Sequence, residues 1–334
     1  MHKKMDNAYK ARWGIISTGW IAHQFVTDLA HANNGVAYAV GSRSQESADK
    51  FARDHGVPHA YATYEELVND PNVDAVYIGT PHPFHKENAL MALRAGKAVL
   101  CEKPFTVNSG ELEEVVAYAR DHKLFLMEAM WSRYIPAIVK VREWIAEGRI
   151  GEVRLVKADL GFRTDWNPES RLLNPKLGGG ALLDVGIYPV SFASMVFGPH
   201  PESISSTVHI GETGVDEHFS MLLNYGNGKT ASLNGGIRLN MLEEAHVFGT
   251  EGRIIVEGTL VNPKSASLYI GDEKVESFVD DRASIGYCFE AEEVGRCLQA
   301  GLTESPVMTL DESLAILKLL DQVRAQWGLK YPGE

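Results

Sequence analysis

The chain has 334 residues, 45% hydrophobic and 23% charged, which predicts a folded protein of two domains rather than a single core. Its formal net charge of −12 argues against a nucleic-acid partner, whose phosphates require a cationic surface. No apolar run approaches the roughly 18 residues of a membrane span, and the polar residues 1–12 lack the apolar core of a secretory signal. Cys101, Cys288 and Cys297 are an odd number without metal-type spacing, so the expectation is a cytoplasmic protein with reduced thiols and no membrane contact.

In chain order, the first part alternates strand and helix. An apolar strand begins near Trp13 and ends at Gly14-Ile15-Ile16, and a helix follows with Ile21, Phe25 and Leu29 on one face. Residues 36–40 predict a strand and 45–55 a helix, and Thr63 with Glu66 forms a capping box for a short helix carrying Leu67. Residues 73–79 read as a buried strand, 85–95 as a helix stopped by Gly96, 98–101 as a strand, 109–121 as a helix and 124–127 as a strand. Regular alternation with short connections is the signature of a doubly wound parallel sheet.

The pattern then changes. A helix over 136–147 and a strand over 152–160 precede Gly178-Gly179-Gly180, which leads into a long apolar helix over 181–197. Strand-like segments follow at 203–210, 217–225, 229–237, 245–248, 253–257 and 267–270, with Gly226-Asn227-Gly228 as a hairpin turn. Strands without intervening helices imply an open, mostly antiparallel sheet. Two helices close the chain, one over 285–300 and one opened by a capping box from Thr309 to Glu312. The expected division is a dinucleotide-binding domain over 1–128 and an α+β substrate-binding and dimerisation domain over 129–334.

The turn after the first strand carries a degraded dinucleotide fingerprint, Ser17-Thr18-Gly19-Trp20-Ile21-Ala22, with serine where the first glycine is usual. Gly19 lets the backbone approach a pyrophosphate, Ala22 permits close helix packing, and the helix N-terminus offers free N–H groups to an anion. At the end of the second strand an NAD enzyme commonly places an acid for the ribose 2′-hydroxyl. Here the chain reads Gly41-Ser42-Arg43-Ser44, which suits a 2′-phosphate and predicts NADP, with NAD as the alternative. Thr80, His82 and His85 follow another strand end and are assigned to the ribose or nicotinamide side, with helix capping as the alternative for His85. No acid or cysteine completes a metal set with the two histidines, and no metal is expected.

Two further segments carry chemistry. Glu102-Lys103-Pro104 ends a parallel strand, which aims Lys103 at the crevice where ligands bind. Asp184 and Tyr188 lie four apart in the apolar helix, and a buried aspartate needs a partner. Each has an ordinary alternative: a surface lysine, a core tyrosine, an internal salt bridge. Finding all three types where two domains would meet favours a catalytic set. Trp131, Phe162 and Trp166 are candidates for an aromatic wall that packs on carbohydrate C–H faces, against the alternative that each is core.

Glu102-Lys103-Pro104 with the later Asp-x-Gly-x-aromatic helix resembles the Gfo/Idh/MocA (glucose–fructose oxidoreductase/inositol dehydrogenase) family. Tyr188 in place of the usual histidine, with 125–131 and 178–188, is similar to its dihydrodiol dehydrogenase branch. The resemblance implies a Rossmann domain, Glu102 and Lys103 among the cofactor contacts, a homodimer, and NADP-dependent oxidation of trans-dihydrodiols or of D-xylose at C1. It also implies a cis Lys103–Pro104 peptide. The residue types then suggest a mechanism. A tyrosine phenol titrates near 10 in water, and a neighbouring ammonium favours its ionised form. Tyr188 is thus the expected base, Lys103 its tuner and the holder of the substrate oxygen, and Asp184 a group that orients Lys103 or binds a second hydroxyl. Two rivals stand beside this reading: a catalytically silent dinucleotide or sugar sensor, and a sugar–sugar oxidoreductase that retains its NADP.

Overall fold

The computed structural model describes residues 9–334, so residues 1–8 of the polar leader lie outside the described residues. The chain divides into two compact units. The first holds the chain through Thr106 together with Gly110–Trp131 and Ser284–Leu310, and the second holds Val107–Ser109, Ser132–Ala283 and Asp311–Glu334. A single boundary after residue 128 therefore does not describe the chain, because 284–310 return to the first unit.

The first unit runs β1 (Ala11–Ile16), α1 (Trp20–Leu29), β2 (Gly35–Gly41), α2 (Gln45–His55), β3 (His59–Tyr61), α3 (Tyr64–Val68), β4 (Ala75–Ile78), α4 (His85–Arg94), β5 (Ala98–Glu102), α5 (Ser109–Asp121) and β6 (Leu126–Ala129). Its strands form a parallel sheet in the order β3-β2-β1-β4-β5-β6. β4 and β5 are buried along their whole length, as strands covered by helices on both faces must be. The strand order reverses at β1 and β4, and the carboxyl ends of strands at such a switch point are where this architecture binds ligands. Ser44 caps α2 by accepting from Ser47 N, and Thr63 caps α3 by accepting from Glu66 N.

The second unit contains α6 (Pro136–Ala146), β7 (Val153–Gly161), a π-type turn (Leu182–Gly186), α7 (Ile187–Phe197) and seven strands. These are β8 (Ser203–Ile210), β9 (Asp216–Asn224), β10 (Thr230–Gly236), β11 (Ala245–Gly249), β12 (Gly252–Glu257), β13 (Ser265–Ile270) and β14 (Glu273–Val279). They join β7 in one sheet ordered β14-β13-β12-β11-β7-β10-β9-β8, antiparallel except for the β7–β10 pair. The predicted hairpin turn between β9 and β10 is present, with Asn227 at φ 51°.

The helix expected over 181–197 is present, with a π-type turn at Leu182–Gly186 near its start. Pro189 has no N–H to bond the carbonyl four residues earlier, and the helix takes π-type pairing just before it, over Leu182–Gly186. Gly186 leaves room for the Phe219 ring, which a Cβ there would meet at 2.6 Å. The stretch Pro175–Phe197 meets the length and hydropathy of a membrane span, yet 83% of its most apolar window is buried within the protein, as in a core helix.

The last two helices are α8 (Tyr287–Gln299) and α9 (Leu310–Trp327). α8 packs on α1 in the first unit. Its opening N–H groups have no cap of their own, and the buried Asp28 of α1 supplies one. Asp28 accepts from Ile285 N (2.7 Å), Gly286 N (2.8 Å) and Cys288 N (2.9 Å). Loss of a single capping bond costs about 1 kcal/mol. Asp28→Ala strands three buried donors and is expected to destabilise the protein by about 2 kcal/mol or more. A urea midpoint equal to that of the unaltered protein would contradict this role.

Candidate active site

The turn between β1 and α1 has the form of an anion cradle. Ser17 adopts φ 107°, the left-handed region in which the fingerprint normally uses glycine. Its hydroxyl holds that conformation by accepting from Gly19 N at 3.0 Å. Gly19 is the N-cap of α1, and among the described residues no side chain caps that helix and no acid occupies its first turn. A Cβ on Gly19 would meet Ser17 Oγ at 3.2 Å, so the bare backbone is needed there. Trp20 is 71% exposed beside it, and Ile21 is half-buried against Gly79 at the end of β4. These free N–H groups, a glycine approach and a helix dipole fit a dinucleotide pyrophosphate.

At the end of β2, Ser42 is buried and its hydroxyl lies 3.4 Å from that of Thr18. Arg43 is exposed and forms no ion pair with another described residue. Ser44 is engaged as the α2 cap. One guanidinium at a helix N-terminus, with no carboxylate in Gly41-Ser42-Arg43-Ser44, is a donor set for a 2′-phosphate.

Beyond β4, His85 departs from a cofactor contact. Thr80 is half-buried, and its side chain accepts from Asn88 Nδ2 at 3.1 Å. His85 is fully buried, with Nδ1 2.9 Å from Pro104 O and Nε2 2.7 Å from Thr80 O. Both ring nitrogens thus face backbone carbonyls, and His85 braces two loops instead of reaching a cofactor. Burial pushes its pKa down against the pull of those carbonyls. As a neutral ring it has one N–H and serves one of them at a time. His82 is buried with its ring 5.7 Å from that of His85. No group of three His, Cys, Asp or Glu capable of holding a metal occurs among the described residues.

Lys103 follows the last residue of β5, and its peptide bond to Pro104 is cis. Glu102 is buried, and its carboxylate accepts from Tyr77 OH at 2.6 Å and from Lys103 N at 3.2 Å. Burial and that carboxylate push the Tyr77 phenol well above its ordinary pKa, which keeps it a donor. Glu102 therefore fixes the backbone at Lys103 from beneath, a role that the sequence did not reveal. Glu128 adds a bond from Phe105 N at 3.2 Å. Trp131 is buried in the same unit and stacks on Tyr287 at 4.1 Å, which is core packing rather than a wall.

In the second unit, Asp184 is buried in the π-type turn and pairs with Arg171 Nη1 at 2.8 Å. Arg171 comes from a loop whose sequence carries no periodic signal, so this partner was not foreseen. Tyr188 is buried in the first turn of α7. Asp184 in the π-type turn and Tyr188 in α7 lie four residues apart in one continuous helical run. Phe162 and Trp166 follow β7, and both are partly exposed. Trp166 lies 5.5 Å beneath the Arg238 guanidinium.

Residues 11–130 match the oxidoreductase family with an NAD-binding Rossmann fold, and residues 138–255 match the GFO/IDH/MocA C-terminal domain. The chain belongs to the GFO/IDH/MocA family. It is an NAD(P)-dependent oxidoreductase, and the residues around Ser17, Gly19 and Arg43 fit that cofactor. A mouse relative, trans-1,2-dihydrobenzene-1,2-diol dehydrogenase, is 41% identical over 341 residues, covering 96% of this chain and 98% of its own. Its human counterpart is 40% identical over 333 residues, with the same two coverages. Among solved structures, a 3-ketoreductase from Actinomadura kijaniata in complex with NADP and TDP-benzene superposes with a TM-score of 0.84. It is 28% identical, covering 95% of this chain and 97% of that one.

The strained serine gives this half of the enzyme a direct test. Ser17→Gly keeps the required φ and is expected to retain NADPH binding. Ser17→Val, β-branched at a positive φ, is expected to weaken it by about tenfold or more, in line with 1–3 kcal/mol of backbone strain. Fluorescence titration with NADPH measures both, and equal affinities would refute the cradle.

Proposed function

We propose that this enzyme is an NADP-preferring dehydrogenase that oxidises a trans-dihydrodiol or the C1 hydroxyl of an aldose such as D-xylose. The observation that carries the substrate class is the 41% identity, over 96% of the chain, to a dehydrogenase of trans-1,2-dihydrobenzene-1,2-diol. Cofactor preference rests on Arg43, exposed at the end of β2 where no carboxylate stands to repel a 2′-phosphate.

Oxidation of an alcohol requires removal of the hydroxyl proton as hydride leaves the carbon. The nicotinamide, when bound, accepts the hydride. The reading gives the proton to Tyr188 and assigns Lys103 to hold the substrate oxygen and favour the ionised phenol. Asp184, already paired with Arg171, orients a second hydroxyl. Glu102 and Tyr77 fix the backbone that presents Lys103. Phe162 and Trp166 offer partly exposed rings to a cyclic or sugar substrate. The cellular setting that suits three unpaired, buried cysteines is the cytoplasm. We further propose a homodimer through the face of the large sheet that carries Leu222, 51% exposed on β9; light scattering tests it.

A panel of aldoses, polyols and trans-dihydrodiols, each with NADP and with NAD, tests the substrate. Turnover with a dihydrodiol or an aldose and NADP is expected. A purified protein that carries nicotinamide through dialysis and turns over only when two sugars are present would contradict the reading. Tyr188→Phe and Lys103→Met are each expected to lower kcat by about 100-fold or more, the scale of acid–base catalysis, while NADPH still binds. Near-normal turnover in either refutes its assigned role. Arg43→Glu is expected to raise the KM for NADP by about tenfold or more and leave that for NAD within about threefold, since a charge-assisted bond contributes about 1.5–3 kcal/mol.

A further inference from the structure

The segment that carries Asp184 and Tyr188 begins in a turn the chain does not cap locally. Gly178 and Gly180 take φ 70° and 122°, and Gly179 lies so close to the backbone of Leu172 that a Cβ would meet its carbonyl oxygen at 2.7 Å. Such a turn leaves the N–H groups that follow it without partners. One acceptor arrives from another strand. Asp216, the first residue of β9 and fully buried, accepts from Leu182 N at 2.6 Å. Its other oxygen has no hydrogen bond and fills the space above Gly180, where any Cβ would overlap it. Tyr331 adds a bond to Gly179 O at 3.1 Å.

A fully buried carboxylate with no ion pair to a described residue is costly, and a protein serving only stability gains more from a neutral acceptor. We infer that Asp216 is a positioning residue for the oxidoreductase reaction: its carboxylate fixes the start of the 182–188 segment and so the placement of Asp184 and Tyr188. This inference rests on the proposed roles of those two residues.

Burial raises the Asp216 pKa to about 7, opposed by the backbone N–H groups and by Arg324. The groups that face it are Arg324 of α9 and Tyr331 of the C-terminal tail, with Asp321 and Glu334 paired to Arg324. Protonation weakens the acceptor, so kcat is expected to fall as pH drops through about 7. Stability moves the other way. The folded acid holds its proton more tightly than the unfolded one, so its contribution is largest at low pH and is lost as pH rises toward about 7.

The test is the pH profile of kcat and of the NADP KM for the full-length enzyme, Asp216→Asn and Asp216→Ala. Asn keeps an oxygen for Leu182 N but does not titrate. Asp216→Asn is expected to lower kcat and flatten the limb near pH 7, with the NADP KM changed less than about twofold. Asp216→Ala is expected to lower kcat about tenfold or more across the range, the effect of a lost buried acceptor of about 1.4 kcal/mol or more. Thermal melting separates the electrostatic role, since Asp216→Asn should reduce the difference in Tm between pH 5.5 and pH 8.5. If Asp216→Ala fails to fold, the asparagine variant alone decides. A wild-type kcat limb retained unchanged in Asp216→Asn, or a KM change as large as the kcat change, overturns the inference. Loss of turnover in Tyr188→Phe with no effect in either Asp216 variant overturns it while leaving the proposed function intact. An unaltered enzyme that turns over no dihydrodiol or aldose refutes the proposed function instead.

Discussion

Every helix in this protein must answer for N–H groups that its own geometry leaves without partners, and the answers organise the molecule. α2 and α3 use the local caps Ser44 and Thr63. α6 opens on Pro136, which has no donor to satisfy, and α4 continues from a 3₁₀ turn at His82–Phe84. α8 and the 182–188 segment borrow buried carboxylates, Asp28 and Asp216, from distant strands or helices. α1 opens on Gly19 with no side-chain acceptor among the described residues, and the first unit is built so that a phosphate can supply one.

The same accounting explains how an acidic protein accommodates an anionic cofactor. A net charge of −12 is spread over the whole chain. The cradle excludes it locally: no acid lies in the first turn of α1, none lies in 41–44, and Arg43 is the charged side chain there. A few oriented N–H groups and one guanidinium thus offer an anion a local setting that the global charge does not. Ser17 shows what this arrangement tolerates, since it keeps a glycine-like φ and replaces the missing freedom with a bond to Gly19 N.

Much of the fold was legible because local rules agreed with the tertiary outcome. Alternating apolar runs and caps located most elements, with α2 and α5 recovered to the residue. Two strands escaped, β3 and β14, and both are sheet edges. β14 mixes charged and apolar residues without regular alternation and has no buried position, so it carries no buried-strand signal. The helix over 181–197 was legible from its apolar run, while the π-type turn at Leu182–Gly186 that accommodates Pro189 was not. For the site, residue type pointed to Lys103, Asp184, Tyr188 and Arg43. Arg171, Tyr77, Asp28 and Asp216 were invisible because each acts through a partner 13 to more than 250 positions away or through burial that only the fold creates. His85 misled for the same reason: a histidine at a strand end looks like a ligand, and here both its nitrogens face carbonyls.

Hydride transfer from a substrate carbon to nicotinamide is the step that defines this enzyme as a dehydrogenase. The most direct measurement supplies NADP and a trans-dihydrodiol or aldose deuterated at the carbon to be oxidised, then follows the label by mass spectrometry. Reduced cofactor carrying the deuterium is expected, with a primary isotope effect on turnover wherever chemistry is rate-limiting. Reduced cofactor without the label, or product formed with no reduced cofactor, would contradict it.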